Sequence, residues 1–297
     1  MELALAIAVL VGLSIASASL ATGSRARRAA AFALVLTAGA VPYGVASSHV
    51  VWRALLSAMV LAAVIRNSDL VLRREPTPLL RRVTHVLSIA DSFRLRRAPP
   101  VFDARAAIRA VFLAALLVAS YAVSFTLAPR VVSHAPRLAV RWLGGLVFTY
   151  ALVDLFEAAL SLVYRGIGFV PPVMHRHPIL ARSVREFWGL RWNRIVSAWL
   201  DARFARPLAK RGRPKLGALL AFVASAALHW YVAAPALGPA WAMLVFAFFV
   251  VQGLLALAEG PLRVARWRPA LAHVWTVSVL ALSSPLFCEP LLRILSP

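Results

Sequence analysis

The sequence contains very little cysteine and few acidic residues. Cys288 is the single cysteine among 297 residues, which excludes an internal disulfide and a cysteine-based metal site. Asp and Glu together number 11, against 33 Lys and Arg. Enzymes that bind diphosphate substrates through Mg²⁺ need clustered aspartates, and the sequence has no Asp-rich motif. The scarcity of acid therefore argues against an intramembrane transferase of prenyl or phospho-alcohol groups.

Hydrophobic residues, in contrast, are in excess. They make up 61% of the chain, against about 45–50% in ordinary proteins. They fall in runs close to the ~20 residues that a helix needs to cross a bilayer. The pattern predicts an all-α fold, a polytopic integral membrane bundle of about eight transmembrane helices with further interfacial or re-entrant helices. We expect one membrane domain over residues 1–297, with spans at about 3–22, 30–47, 50–66, 107–127, 140–164, 216–234, 239–258 and 271–288.

The net charge of +22 is concentrated in loops between these runs. No basic helix or RNA-binding motif stands apart from the runs, so nucleic acid is not an expected partner. Cytoplasmic loops collect Lys and Arg, and an outside N-terminus puts nearly all the cations in inner loops 23–29, 67–106, 165–215 and 259–270. The outer segments hold only Arg53, Arg130, Arg137, Arg141 and Arg293. We expect a multi-pass protein of the bacterial inner membrane whose basic loops are cytoplasmic.

The first long inner loop, 67–106, predicts an amphipathic helix on the membrane surface. Arginine pairs alternate there with apolar residues at helical spacing: Arg73-Arg74, Arg81-Arg82 and Arg96-Arg97, and Leu79, Leu80, Val83, Val86 and Leu87. Arginine binds phosphate through paired hydrogen bonds. Anionic membrane lipids are therefore the expected partners of this loop.

The second long inner loop contains the most informative segment, 183–206. Ser183 and Glu186 form a capping box, which predicts the start of an interfacial helix over 183–206. Residues at i, i+4 and i+8 share a helix face, so Gly189, Asn193 and Ser197 form a small polar strip. The flanking Trp188 and Trp192 suggest a groove along that strip, with the Asn193 amide at its centre. The alternative is an interfacial helix anchored by its tryptophans.

His229 lies deep in the predicted span 216–234, where ionisable residues are rare and usually face a cavity or the bundle interior. Burial favours the neutral imidazole, whose free nitrogen can act as a base. The preceding Ser225, Ala226 and Ala227 allow close approach of a neighbouring helix. A purely structural histidine, hydrogen-bonded between helices, is the alternative interpretation.

Asp154 and Glu157, one helical turn apart in the predicted span 140–164, need partners or protons in hydrocarbon. They can form a proton relay or pair with arginines, and we favour pairing. His175 and His177 are two residues apart and do not share a helix face, so we expect no metal site there.

The stretch from Phe187 to Asn193, FWGLRWN, resembles the wax-synthase branch of the membrane-bound O-acyltransferase superfamily. These proteins have an FW-G-x-RWN-like segment and an intramembrane histidine in a later helix, the position of His229. The sequence departs from the pattern at Leu190, where arginine is common, and at Trp230, where an acid is frequent. The resemblance is specific over about 178–231 and elsewhere extends only to the multispanning helical bundle.

The resemblance implies transfer of a fatty acyl group from acyl-CoA to a hydroxyl, chiefly of a long-chain alcohol, giving a wax ester. His229 and Asn193 are then the catalytic residues, and substrate binds Trp188, Arg191, Trp192, Arg194 and Ser197. Acyl-CoA is a co-substrate, and neither a metal nor another cofactor is implied. The remaining partners are a lipid or fatty-alcohol acceptor and membrane lipids, with no particular oligomeric state indicated.

Two non-enzymatic functions compete with this interpretation. A transporter often has duplicated halves and paired broken spans, and neither is visible in the sequence. A lipid-binding membrane protein without turnover is the other alternative. The presence of both Asn193 and His229 favours the enzyme.

Overall fold

The structure, a computed structural model, describes residues 1–73 and 75–296. Arg74, one of the paired cations of loop 67–106, lies outside the described residues. The described chain is mostly helical, because a helix satisfies its backbone hydrogen bonds within one apolar segment. Its strands are two-residue pieces, β1 (Arg96–Arg97) and β2 (Phe169–Val170), which pair antiparallel with Arg97 opposite Phe169. The predicted all-α membrane fold is confirmed.

The chain divides into two compact units. The first comprises Met1–Leu95 and Trp230–Ala242, and the second comprises Arg96–His229 and Met243–Pro297. The first unit contains α1 (Leu3–Leu20), α2 (Arg25–Thr37), α3 (Val41–Gly44), α4 (Val50–Leu72) and α5 (Leu79–Leu87).

The second unit contains the remaining helices, with most of α11 and α12: α6 (Ala104–Ala122), α7 (His134–Gly166), α8 (Val184–Glu186), α9 (Arg194–Leu200), α10 (Arg206–Ala209), α11 (Pro214–Leu237), α12 (Pro239–Ala258), α13 (Pro269–Ser283) and α14 (Pro285–Ile294). The division between the units falls after His229 in α11 and after Ala242 in α12.

Small residues and hydrogen bonds between helices hold the first unit together. Ala18 and Ala31 are fully buried where α1 meets α2, and the Ser17 hydroxyl donates to the Ala31 carbonyl over 2.8 Å. Asn67 of α4 donates in turn to the Ser17 hydroxyl. Because lipid tails are as apolar as leucine, close backbone approach and interhelical hydrogen bonds stabilise helix contacts in a bilayer.

The helix predicted in loop 67–106 is present as the nine-residue α5. Val86 is buried against the unit's core, whereas Leu80 is 79% exposed. Leu79 and Leu87 are also exposed. This distribution fits a helix that lies at a membrane surface with leucines left for lipid.

Six helices among residues 1–73 and 75–296 are long and apolar enough to cross a bilayer. They are Leu3–Leu20, Val50–Leu72, Ala104–Arg130, His134–Gly166, Pro214–Leu237 and Pro239–Ala258. α13 and α14 meet at a bend of 47° and make a seventh span if they cross as one. The protein is therefore a multi-pass membrane protein, but the predicted count of about eight spans is too high.

The predicted span 30–47 accounts for the difference. α2 ends at Thr37 after 13 residues, a 3₁₀ turn follows at Ala38–Ala40, and α3 has only four residues. Pro42 lacks the N–H that would bond to the Ala38 carbonyl in a continuous α-helix. The hydropathy pattern does not reveal this interruption, and it therefore predicted one continuous helix over 30–47.

In the second unit, α12 lies close to α11 at a glycine. A Cβ added at Gly253 would lie 2.8 Å from Cβ of Phe222, closer than real Cβ atoms come. This contact joins the two longest apolar segments that follow residue 213, and α11 is the helix that contains His229.

We predict that Gly253→Ala destabilises the protein, because the added methyl overpacks the contact with Phe222, at about 1–3 kcal/mol. Gly12→Ala is the matched control, since an added Cβ there meets nothing within 4 Å. Thermal unfolding in detergent can be followed with a thiol-reactive dye, because Cys288 is buried until the protein unfolds. An unchanged midpoint for Gly253→Ala would show that α11 and α12 are not closely packed at this position.

Candidate functional site

Segment 183–206 is not the continuous helix that the sequence predicts. α8 leads into a π-helical turn at Phe187–Arg191. The helix is interrupted at Trp192 and Asn193, and α9 begins at Arg194. A second π-helical turn, Asp201–Ala205, separates α9 from α10. Single π turns inside helices often occur at functional sites.

The start of the segment is held by two acids. The Ser183 hydroxyl accepts the N–H of Glu186 over 2.9 Å, as the capping box predicts, while the Glu186 carboxylate turns to the N–H of Arg182 at 2.8 Å. The buried Glu259 accepts the N–H of Val184 at 2.6 Å and the Trp275 indole at 3.2 Å. Because free N–H groups at a helix start need acceptors, these carboxylates determine where α8 begins.

Asn193 occupies the break. Its φ of 36° and ψ of 58° are left-handed, a conformation that asparagine tolerates better than most residues. Its side-chain Oδ1 accepts the N–H of Val196 at 3.4 Å and so caps α9. Since a backbone N–H needs an oxygen acceptor, the part of the amide left for other partners is the Nδ2 donor.

The predicted strip of Gly189, Asn193 and Ser197 is folded across the break. Ser197 donates from its hydroxyl to the Gly189 carbonyl over 3.1 Å. An added Cβ at Gly189 would meet nothing within 4 Å, so space is open beside the π turn. Two of the three residues therefore meet, but through a hydrogen bond across a turn rather than along one helix face.

Trp188 and Trp192 form one side of an aromatic cluster. The Trp188 indole donates to Oε1 of Gln252 at 3.1 Å, and Gln252 donates to the Ser283 hydroxyl at 2.7 Å. Trp192 stacks on Phe187 with centroids 5.5 Å apart. Both indoles are therefore fixed in orientation.

His229 lies on the same cluster from α11. Its ring stacks on Phe249 with centroids 4.0 Å apart, and Trp188 contacts Phe249 at 5.4 Å. Nδ1 of His229 is 2.8 Å from the Ser225 carbonyl. A carbonyl only accepts, so Nδ1 carries the proton and Nε2 of the neutral ring has the lone pair. Trp192, Trp188 and Phe249 connect Asn193 to His229, and a single cavity that holds both side chains stays a prediction.

The two arginines that were predicted to bind substrate, Arg191 and Arg194, make different contacts. Arg191 donates from Nε to Glu186 at 2.7 Å and from Nη1 to the carbonyls of Arg176 and His177 at 3.1 and 3.2 Å. The half-buried Arg194 makes no side-chain hydrogen bond or ion pair with the residues that the structure describes. Arg194 is therefore the cation of this pair that is available for a ligand phosphate.

Sequence reasoning missed the convergence of three separate positions. Arg109 of α6 donates to Asp154 and Glu157, which confirms the predicted pairing of these acids with arginine. Glu157 also accepts Nδ1 of His175 at 3.0 Å. Ligand atoms of Asp154, Glu157 and His175 lie within 4.8 Å of one another, a spacing that a metal ion can bridge. Arg109 already contacts both carboxylates and compensates their charge.

Comparison with known proteins shows which proteins the segment resembles. The family described as "Membrane bound O-acyl transferase family" matches residues 170–251, which include both Asn193 and His229. Three similar proteins of Arabidopsis thaliana are named "Probable long-chain-alcohol O-fatty-acyltransferase" 3, 2 and 7. The resemblance to the wax-synthase-like branch is thereby confirmed.

The matches cover part of each protein. Protein 3 is 28% identical over 160 residues, 47% of this chain and 45% of its own length. Protein 2 is 32% identical over 130 residues, 40% of this chain and 36% of its own length. Protein 7 is 28% identical over 163 residues, 50% of this chain and 48% of its own length. The chain thus spans less than half the length of each of these relatives.

Glu186 should make the start of the segment sensitive to acid. Burial alone raises the pKa of Glu186, but the Arg182 amide and the Arg191 guanidinium outweigh it and lower that pKa below its usual 4.5. A lowered folded-state pKa contributes stability that is present above about 4.5 and is lost as the pH falls toward the folded value. We predict that Glu186→Gln is less stable than wild type at neutral pH. The difference in stability between the two proteins should become smaller below pH 4.5.

Tryptophan fluorescence during thermal unfolding, measured from neutral pH to below pH 4.5, tests this expectation. Glu2→Gln, at an exposed position, controls for loss of a carboxylate. A gap that stays constant over the whole pH range would mean that Glu186 does not titrate with unfolding.

Proposed function

We propose that this chain, whose residues 170–251 match the membrane-bound O-acyltransferase family, transfers a fatty acyl group from acyl-CoA to a long-chain alcohol. The product is then a wax ester. The observation that supports this reaction best is the His229 ring, whose Nδ1–H is committed to the Ser225 carbonyl. Its Nε2 has no hydrogen-bond partner in the described part of the chain and is available to take a proton.

His229 acts as the general base. The alcohol oxygen attacks the thioester carbonyl carbon while its proton passes to Nε2 of His229. The tetrahedral intermediate then collapses, the carbon–sulfur bond breaks, and the imidazolium returns the proton to the leaving thiolate of coenzyme A. A positioned base of this kind contributes about 10²–10⁴-fold in rate.

Asn193 stabilises the oxyanion. Its Oδ1 is committed to the Val196 N–H, so the Nδ2 donor is the part that can bond the thioester oxygen as negative charge develops. The left-handed backbone and the cap fix this amide before substrate arrives. Donors fixed in advance need no reorganisation during the reaction, which is why they stabilise a transition state effectively.

Arginines supply the contacts for coenzyme A. Arg194 directly follows Asn193, and the basic stretch 206–215 follows α9. Guanidinium groups match phosphate oxygens through paired hydrogen bonds. We assign the phosphates to this basic region and the acyl chain to the aromatic cluster around Trp188 and Phe249. The candidate spans around His229 limit water, which would hydrolyse the thioester.

The first test is release of coenzyme A by purified protein with long-chain acyl-CoA. A panel of acceptors (fatty alcohol, sterol, diacylglycerol and a glycan) identifies the substrate, and we expect ester formation with the fatty alcohol. His229→Ala should lower kcat by about 10²–10⁴-fold because the base is lost. His134→Ala, at an exposed position, is the matched control and should keep wild-type activity. Acyl-CoA binding without release by wild type would favour the lipid-binding alternative.

A second prediction concerns Asn193→Asp. Aspartate keeps the helix cap and tolerates the left-handed backbone, so thermal stability should stay near that of wild type. It replaces the Nδ2 donor with a carboxylate oxygen that repels an oxyanion, so kcat should fall by about 10²–10³-fold. Wild-type kcat in this variant, measured by the same coenzyme A assay, would be incompatible with an oxyanion role for Asn193.

A further inference from the structure

Glu157 is the centre of a buried network that reaches from α7 to the segment before the site. Its Oε1 accepts the N–H groups of Met174 and His175 at 2.8 and 3.3 Å. Its Oε2 accepts Nδ1 of His175 at 3.0 Å and Nη2 of Arg109 at 3.3 Å. Both Glu157 and His175 are more than 90% buried. A carboxylate with four donors holds this loop at a single place on α7.

Met174 and Arg176, on either side of His175, pair with the backbone on both sides of Asn193. The Met174 carbonyl accepts the N–H of Arg194 at 2.9 Å, directly after Asn193. The N–H of Arg176 donates to the Arg191 carbonyl at 2.8 Å, two residues before Asn193. A left-handed residue other than glycine persists only when its surroundings determine its conformation. These two hydrogen bonds bracket the left-handed residue.

The ring of His175 adds a third contact. It lies edge-on against Trp192, the residue before Asn193, with centroids 4.9 Å apart. Its Nε2 is buried without a hydrogen-bond partner among the described residues. The polar function of His175 is therefore the Nδ1–H that it donates to Glu157, since a carboxylate only accepts.

We propose that His175 is a positioning residue, which acts with Glu157 to hold the Asn193 amide in its catalytic orientation. This inference rests on the proposed acyl transfer. His175 touches neither the thioester nor the alcohol, and it acts through the backbone pairing around Asn193. A displacement of about 1 Å in a reacting group can lower a rate by about 10²-fold, so loss of this support should be visible in kcat.

Two substitutions distinguish the roles of the two ring nitrogens of His175. The amide nitrogen of asparagine takes the place of Nδ1 and can still donate to Glu157, whereas the longer glutamine places its amide nearer Nε2. We predict that His175→Asn keeps kcat within a few-fold of wild type and that His175→Gln lowers kcat by about 10²-fold. KM for acyl-CoA should stay near the wild-type value in both variants, because neither removes a phosphate contact.

Variants of the acids give a matched comparison. Glu157→Gln removes the carboxylate that holds Met174 and His175, and it should lower kcat as His175→Gln does. Asp154→Asn removes the same charge one turn away, where the carboxylate bonds Arg109 but no residue of the 174–176 segment. Asp154→Asn should therefore affect kcat less than Glu157→Gln. Equal losses of kcat in the two variants would show that kcat depends on the negative charge rather than on the contact with the 174–176 segment.

Hydrogen exchange gives a readout that does not need activity. Peptides that cover residues 192–197 contain the Arg194 amide, which is bonded to the Met174 carbonyl. Their exchange in detergent should be faster in His175→Gln and Glu157→Gln and unchanged in His175→Asn. If wild type forms no ester with any acceptor, the proposed function fails while exchange still reports on positioning. Identical exchange and kcat in all three variants and wild type would overturn the role of His175.

Discussion

Backbone N–H groups that leave the regular helical pattern need other acceptors, and in this protein two buried glutamates supply them. Glu157 receives the amides of Met174 and His175, and Glu259 receives those of Val184 and Arg185. Buried donors without partners would cost about 1–3 kcal/mol each. The FWGLRWN motif, residues 187–193, directly follows Val184 and Arg185, and its end pairs with the backbone of residues 174–176. Its shape therefore depends on two carboxylates that lie far from it in the sequence.

The few acidic residues of the chain have structural roles. Most of the few acidic residues hold an arginine, a tryptophan or a backbone N–H: Asp91, Asp103, Asp154, Glu157, Glu186, Glu259 and Glu289. Cations outnumber acids threefold, so the carboxylates of the chain cannot pair one to one with its basic residues. Such an excess of arginine suits ligands that have phosphate groups.

The predicted and observed structures differ where local sequence is a poor guide. Capping chemistry placed the start of α8 correctly, because Ser183 and Glu186 act within one turn. Helical periodicity then extended the predicted helix past Trp192 and Asn193, but the backbone is extended at Trp192 and left-handed at Asn193. Asparagine is compatible with both a helix interior and a left-handed cap, so its identity did not reveal the break. The pairing of residues 174–176 with 191–194 selects the cap.

The amino-acid sequence was sufficient to predict a multi-pass helical membrane protein and the family that its central segment resembles. Apolar runs of bilayer length require helices, since the backbone must satisfy its own hydrogen bonds in lipid, and the FWGLRWN stretch with a later deep histidine points to acyl transfer. Tertiary structure decided which atoms of those residues remain available. The Ser225 carbonyl fixes the proton of His229 on Nδ1, and the α9 cap leaves Asn193 its donor. Only tertiary structure brings Arg109, Glu157 and His175 together, because their contacts join positions with no periodic relation in the chain.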